Sequence, residues 1–168
     1  MSVGLEQISR GKHVSDWNDI INYCKSHTGP YTFDESITME NFAETAETLI
    51  DSVVQVNFVS VLSHLMIRQD IPLTSLAMNY LYTTHAAINE EISTANYSSQ
   101  LARVTIPVLL LYGKFDFICP EGMANDILAH IGSSYTRKVI SPVSGHNFIL
   151  QDPNLFVSEV LAFIDANP

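Results

Sequence analysis

The sequence predicts an α/β fold in which a helical first part is followed by strand, helix, strand, helix. Three observations carry that reading. Apolar residues recur at helical spacing between Trp17 and Val54, an unbroken apolar run Val108-Leu109-Leu110-Leu111-Tyr112 ends at Gly113, and a second, shorter strand at Lys138 to Ser141 stands between two more helical stripes. With 168 residues, 46% of them hydrophobic, the chain has apolar content for one domain-sized core.

Taken in order, Ser15 is expected to cap a helix running from Asp16 to Ser26, with Trp17, Ile20, Ile21 and Cys24 on one buried face. After the turn-rich "SHTGPYTFDES", Thr38 is expected to cap a long helical stretch carrying Phe42, Ala46, Leu49, Ile50, Val53 and Val54. The β-branched run from Val53 to Val61 weakens helix propensity and predicts a break or kink there. Pro72 suits the first position of a short helix that includes Leu76, Met78 and Tyr80. There is no internal repeat and no low-complexity tract.

From Ile106-Pro107 onward the character changes. The run Val108 to Tyr112 reads as a strand buried on both faces, Pro120 opens a helix with Met123, Ala124, Ile127, Leu128 and Ile131 as its stripe, and Gly132 stops it. After the second strand comes the loop "PVSGHNF", and then Asp152-Pro153 starts a last helix with Phe156, Val160, Phe163 and Ile164 at i, i+4, i+7 and i+8. This alternation predicts a parallel strand pair joined by a crossover. Two strands alone do not make a doubly covered sheet, so the first strand is expected to gain a further neighbour, from a segment absent here or from a second copy of the chain.

Composition narrows the function. Eight Lys and Arg against 18 Asp and Glu give a net charge of -10, which opposes phosphate-backbone binding, so nucleic acid is not an expected partner. Cys24 and Cys119 stand far apart, with no disulfide framework and no zinc-ligand spacing, and the expected compartment is reducing and cytoplasmic. The histidines His13, His27, His64, His85 and His130 share no metal-ligand spacing either, so no metal and no organic cofactor is expected. The first residues hold no apolar signal segment, and no apolar stretch approaches the roughly 20 residues of a membrane helix.

Functional groups of open α/β sheets collect at the carboxyl ends of strands, and here one reactive residue follows each strand. Asp116 lies in "YGKFDFICP" between Phe115 and Phe117, and His146 lies in "PVSGHNF". Taken singly, Asp116 reads as a turn aspartate bonded to nearby amides and His146 as an ordinary loop histidine. As a pair in the chain order acid then histidine, they match the second and third members of a hydrolase triad.

The stretches "VTIPVLLLYGKFDFICPEGMANDI" and "VISPVSGHNFILQDPNLFVSEVLAFI" resemble the C-terminal part of the α/β-hydrolase superfamily. The first is similar to its strand seven, acid loop and following helix, the second to its strand eight, histidine loop and last helix. Within the superfamily the resemblance is to prolyl-aminopeptidase-like, cap-bearing hydrolases. It implies that residues 1–99 form a helical cap and residues 100–168 the C-terminal β-α-β-α of the hydrolase sheet. It also implies Asp116 as triad acid and His146 as general base, acting on an ester, an amide or a small peptide. Cap aromatics such as Trp17, Tyr31, Phe33, Phe58, Tyr80 and Tyr82 would line an apolar pocket or, more simply, pack a core.

The departure from the superfamily is the nucleophile: no G-x-S-x-G elbow occurs in these 168 residues. Cys119 stands before the helix opened by Pro120, where a helix N-terminus would lower its pKa, yet a small residue at a helix start is the simpler expectation. Nucleophile and oxyanion hole are therefore expected outside this chain, which alone should be inactive. Dehalogenase and epoxide-hydrolase relatives keep the fold with an aspartate nucleophile, so Ser and Asp both stay open. The competing expectation is a non-catalytic relative that serves as an interaction and self-association module through the open strand edge.

Overall fold

Residues 1–29, 31–57, 59–61, 63 and 95–167 are described by a computed structural model. Within them the helices are α1 (Ser2–Ser9), α2 (Val14–Ser26), α3 (Phe33–Thr48), α4 (Glu121–His130), α5 (Phe148–Gln151) and α6 (Pro153–Ala166). A 3-10 helix spans Ser98–Arg103, and the strands are β1 (Val108–Gly113) and β2 (Thr136–Ser141). The chain divides into two units, one made of residues 1–54 with 97–168 and one of residues 55–96. The expected helix at Pro72 with Leu76, Met78 and Tyr80 lies outside the described residues, as do Phe58, His64, Tyr82 and His85.

Among the described residues the first unit holds a hydrophobic core. Trp17 and Ile20 of α2 pack with Ala46 of α3 and with Ile50 and Val53 just beyond it; Val3, Ile8, Cys24, Phe42, Leu49, Phe115 and Phe117 close around them. The α2 stripe is thus buried as its spacing predicts. Phe117 meets Trp17 edge to face at 6.2 Å between ring centres, which joins the loop after β1 to this helical core.

Two helix starts differ from expectation. Helix α2 begins at Val14, with His13 at the N-cap in a left-handed conformation (φ 46°), so Ser15 is inside the helix and does not cap it. Helix α3 begins at Phe33, not after Thr38, because Thr32 and Glu35 form a reciprocal capping box. The Glu35 amide donates to Thr32 Oγ1 at 3.3 Å and the Thr32 amide to the Glu35 carboxylate at 2.8 Å. Thr38 is inside that helix, its hydroxyl donating to the Asp34 carbonyl. The break expected between Val53 and Val61 comes earlier: α3 stops at Thr48, and tight turns from Ile50 to Glu47 and from Val53 to Ile50 carry the apolar stripe on without a helix.

Downstream, the predicted alternation is observed. β1 and β2 are parallel, in register from Val108↔Thr136 to Gly113↔Ser141. Pro120 is the N-cap of α4 and Pro153 the first residue of α6, whereas the Asp152 carboxylate takes the Ser141 hydroxyl at 2.7 Å in place of capping α6. The expectation of a strand buried on both faces is corrected. Val108 to Tyr112 are only half-buried and Gly113 alone is buried, since β2 is the sole ladder partner of β1 among the described residues. No helix among the described residues is long and apolar enough to cross a membrane.

The capping box yields a prediction. Thr32→Ala should cost about 1 kcal/mol in chemical denaturation, whereas Thr38→Ala should stay within about 0.5 kcal/mol. The hydrogen bonds from Thr32 hold the Glu35 carboxyl below its usual range. Its contribution is therefore present above the unfolded-state pKa and fades as pH falls through the folded one, so the stability gap between wild type and Thr32→Ala should narrow in acid.

Candidate functional site

The carboxyl ends of the two strands meet backbone to backbone. The Lys114 amide donates to the Ser141 carbonyl at 2.9 Å and the Phe115 amide to the Ser144 carbonyl at 3.0 Å, so each loop is hydrogen-bonded to the other. Gly113 permits that approach: a Cβ there would run into the carbonyl oxygens of Ser144 and Gly145. Nothing larger than a hydrogen separates the strand end from the histidine loop.

Asp116 is buried, with 8% of its surface exposed, and its two oxygens have different duties. Oδ1 accepts the backbone amides of Ile118 at 3.1 Å and Cys119 at 2.7 Å, which is the turn role expected of an aspartate after a strand. Oδ2 lies 3.2 Å from Nδ1 of His146, with Oδ1 at 3.3 Å. The turn role expected of Asp116 is observed, and the same bonds hold its carboxylate where it contacts the histidine. The ring contact is longer than the roughly 2.7–2.9 Å of a tight charge-assisted bond and is shared between both oxygens. The His146 side chain is 42% exposed, so the far edge of its ring reaches solvent.

Two further residues hold the histidine loop, and the sequence reading missed both. Glu47, in the last turn of α3 and 8% exposed, accepts the His146 amide at 2.8 Å on Oε2 and the Gln151 side-chain amide at 2.8 Å on Oε1. Gln151 in turn accepts the Gly145 amide at 2.8 Å and donates to the Val54 carbonyl at 3.0 Å. A Cβ at Gly145 would run into the Glu47 carboxylate and displace it from its bonds to His146 and Gln151. The signal for Glu47 was an acid in phase with the buried face of α3, beside Ala46 and three residues before Ile50. A carboxylate on an apolar stripe needs donors.

Cys119 stands beside the pair, but as a thiol. Burial first, then the nearby charges of Asp116 and Glu40, push its pKa up, opposite to the lowering that a helix N-terminus would give. Ser144, the serine next to the histidine loop's Gly145, is fully buried and its hydroxyl has no partner among the described residues. Neither has the setting of a nucleophile. Of the expected pocket aromatics, Trp17 lines a cavity of about 230 Å³ between α2, α3 and the acid loop, with Ile20, Phe42, Ala46, Phe117 and Pro120 among the other walls. Tyr31 is exposed.

The clamp is testable. Glu47→Gln places a second amide NH₂ against that of Gln151 or against the His146 amide and should cost about 1–3 kcal/mol in denaturation. Adding Gln151→Glu to the same chain restores acceptors for Gly145 and His146 but sets a carboxylate oxygen against the Val54 carbonyl, so it should recover only part of that loss. Ser144→Ala, which removes an unpaired buried hydroxyl, should be neutral or stabilising by up to about 1 kcal/mol.

No protein-family model matches the chain. Over 67 residues it is 36% identical to the pimeloyl-[acyl-carrier protein] methyl ester esterase of Nitrosomonas europaea, a stretch covering 40% of the chain and 26% of the esterase. The crystal structure of MGS-M2, an alpha/beta hydrolase enzyme from a Medee basin deep-sea metagenome library, overlaps 82% of the chain and 52% of its own, with 19% identity and a TM-score of 0.44. The chain thus spans about a quarter of the esterase's length and about half of the hydrolase's. The described residues form a mixed α/β fold with a two-stranded parallel sheet, and the chain is similar over these stretches to an esterase and to a hydrolase.

Proposed function

We propose that Asp116 and His146 are the orienting acid and the general base of a serine-type hydrolase acting on an ester or amide bond, small peptides included. The nucleophile and oxyanion hole come from residues outside these 168. The observation that supports this reading is the contact of His146 Nδ1 with a carboxylate already immobilised by two backbone amides. An ionised carboxylate has no proton to give, so Nδ1 carries the hydrogen and Nε2 keeps its lone pair. Nε2 then takes the proton of an attacking hydroxyl, Asp116 steadies the imidazolium that results, and the same nitrogen returns the proton to the leaving group. The similarity to an esterase supports the ester part of this reading.

Nitrogen NMR of the chain should find His146 as the Nδ1–H tautomer, and Asp116→Asn should abolish that preference; an Nε2–H tautomer in the wild type would remove the base role. The chain by itself should show no ester turnover and no labelling by a fluorophosphonate. Stoichiometric labelling would place the nucleophile within these residues and overturn that part of the reading.

A second reading, a non-catalytic self-association module, has its own support. β1 has a ladder partner on one side only among the described residues, and Val157, Leu161 and Ile164 of α6 are more than half exposed at helical spacing. Sedimentation equilibrium should find association at micromolar concentrations. A monomer throughout would eliminate this reading.

A further inference from the structure

Asp116, Cys119 and His146 each offer one ligand atom to a common space, and those atoms all lie within 4.8 Å of one another. We propose that these three residues form a binding site for a borderline divalent transition-metal ion of the Zn²⁺ type, held by a carboxylate oxygen, a thiolate sulfur and an imidazole nitrogen. The remaining coordination position is left to water.

Four observations carry it. The donor set is one that zinc chemistry favours, and bonds of about 2.0–2.3 Å in a tetrahedral arrangement set ligand atoms about 3.3–3.8 Å apart. The nitrogen and oxygen are already 3.2 Å apart and the sulfur lies within 4.8 Å of its partners, so side-chain shifts of about an ångström complete the set. The carboxylate has the outer support that metal-bound carboxylates need, because Oδ1 is tied to the amides of Ile118 and Cys119 and Oδ2 is left for the ion. The Cys119 amide belongs to the very residue that supplies the sulfur, which keeps thiol and carboxylate side by side. Finally, a net charge of -10 favours a dication over an anion on this chain.

Binding is balanced in protons. The ion displaces the Cys119 thiol proton, which goes to solvent, and where it takes Nδ1 the imidazole proton moves to Nε2. A metal-loaded chain then has no free lone pair on His146. That consequence rests on the proposed base role, whereas the binding itself does not.

The full chain, in thiol-free buffer, is titrated with Co²⁺ by absorbance and with Zn²⁺ by calorimetry. One ion per chain and a thiolate-to-cobalt charge-transfer band are expected. The band should vanish in Cys119→Ser and persist in Cys24→Ser, and Asp116→Asn and His146→Ala should each weaken Zn²⁺ binding at least about tenfold. In the wild-type chain Zn²⁺ should also shield Cys119, but not Cys24, from iodoacetamide, a measurement that needs no variant to fold. No charge-transfer band, a band that survives Cys119→Ser, unchanged Zn²⁺ affinity in His146→Ala, or no shielding of Cys119 would each overturn the proposal. A failed proton-transfer role for His146 would leave the ion titration unaffected, so the two readings stand or fall separately.

Discussion

The closeness of the two strand ends governs everything around the site. Because β1 and β2 run parallel and in register, their carboxyl ends finish side by side at Gly113 and Ser141, and both following loops leave from the same edge. Gly113 lets the main chain of the histidine loop lie directly on the strand end, and amides of Lys114 and Phe115 fill carbonyls of Ser141 and Ser144. Such bonds are short-range and directional. They convert two loops that are 30 residues apart in the chain into one rigid piece that carries Asp116 and His146.

The second constraint arrives from the helical region. Glu47 puts a carboxylate into the buried space under the histidine loop, where an unpaired charge would be costly, and the loop answers with the His146 amide while Gln151 supplies its side chain. Gln151 closes the circuit by accepting the Gly145 amide. Because each buried polar atom in this ring is satisfied by another, any single change strands its neighbour, and the position of the histidine depends on α3 as much as on the sheet. On the other side, the edge-to-face contact of Phe117 with Trp17 anchors the acid loop to α2. Acid and histidine are thereby held against the same helical layer.

Electrostatics then divides the roles of three neighbouring groups. Asp116 is aimed by backbone amides, His146 reaches solvent, and burial followed by the nearby acids pushes the Cys119 thiol pKa up. On the two proposals, a proton on Nδ1 and a metal ion bound there would be alternatives for the same cluster, and the occupant would set whether the ring's outer nitrogen is free to accept a proton.

The C-terminal half was largely legible in the sequence, and its physical reason is locality. A continuous apolar run, prolines at helix starts and a loop Gly before His146 are short-range signals, so β1, α4, β2 and α6 fall where periodicity and turn chemistry put them. The start of α3 was equally local, a Thr-x-x-Glu box at Thr32, but Thr38 offered a competing cap nearer the apolar stripe and drew the boundary six residues late. Burial of β1 was overestimated because apolar content reports what a strand would prefer to bury and not how many neighbours are present. What only the tertiary structure decided is which groups meet. Glu47 under the histidine loop, Gln151 bridging to it and Cys119 against the Asp116 and His146 pair depend on contacts between segments up to 104 residues apart, and no period or motif along the chain encodes such distances. The sequence by itself determined the candidate acid, the candidate base and the strands that present them, whereas the packing of α3 and the two loops determined how they are aimed.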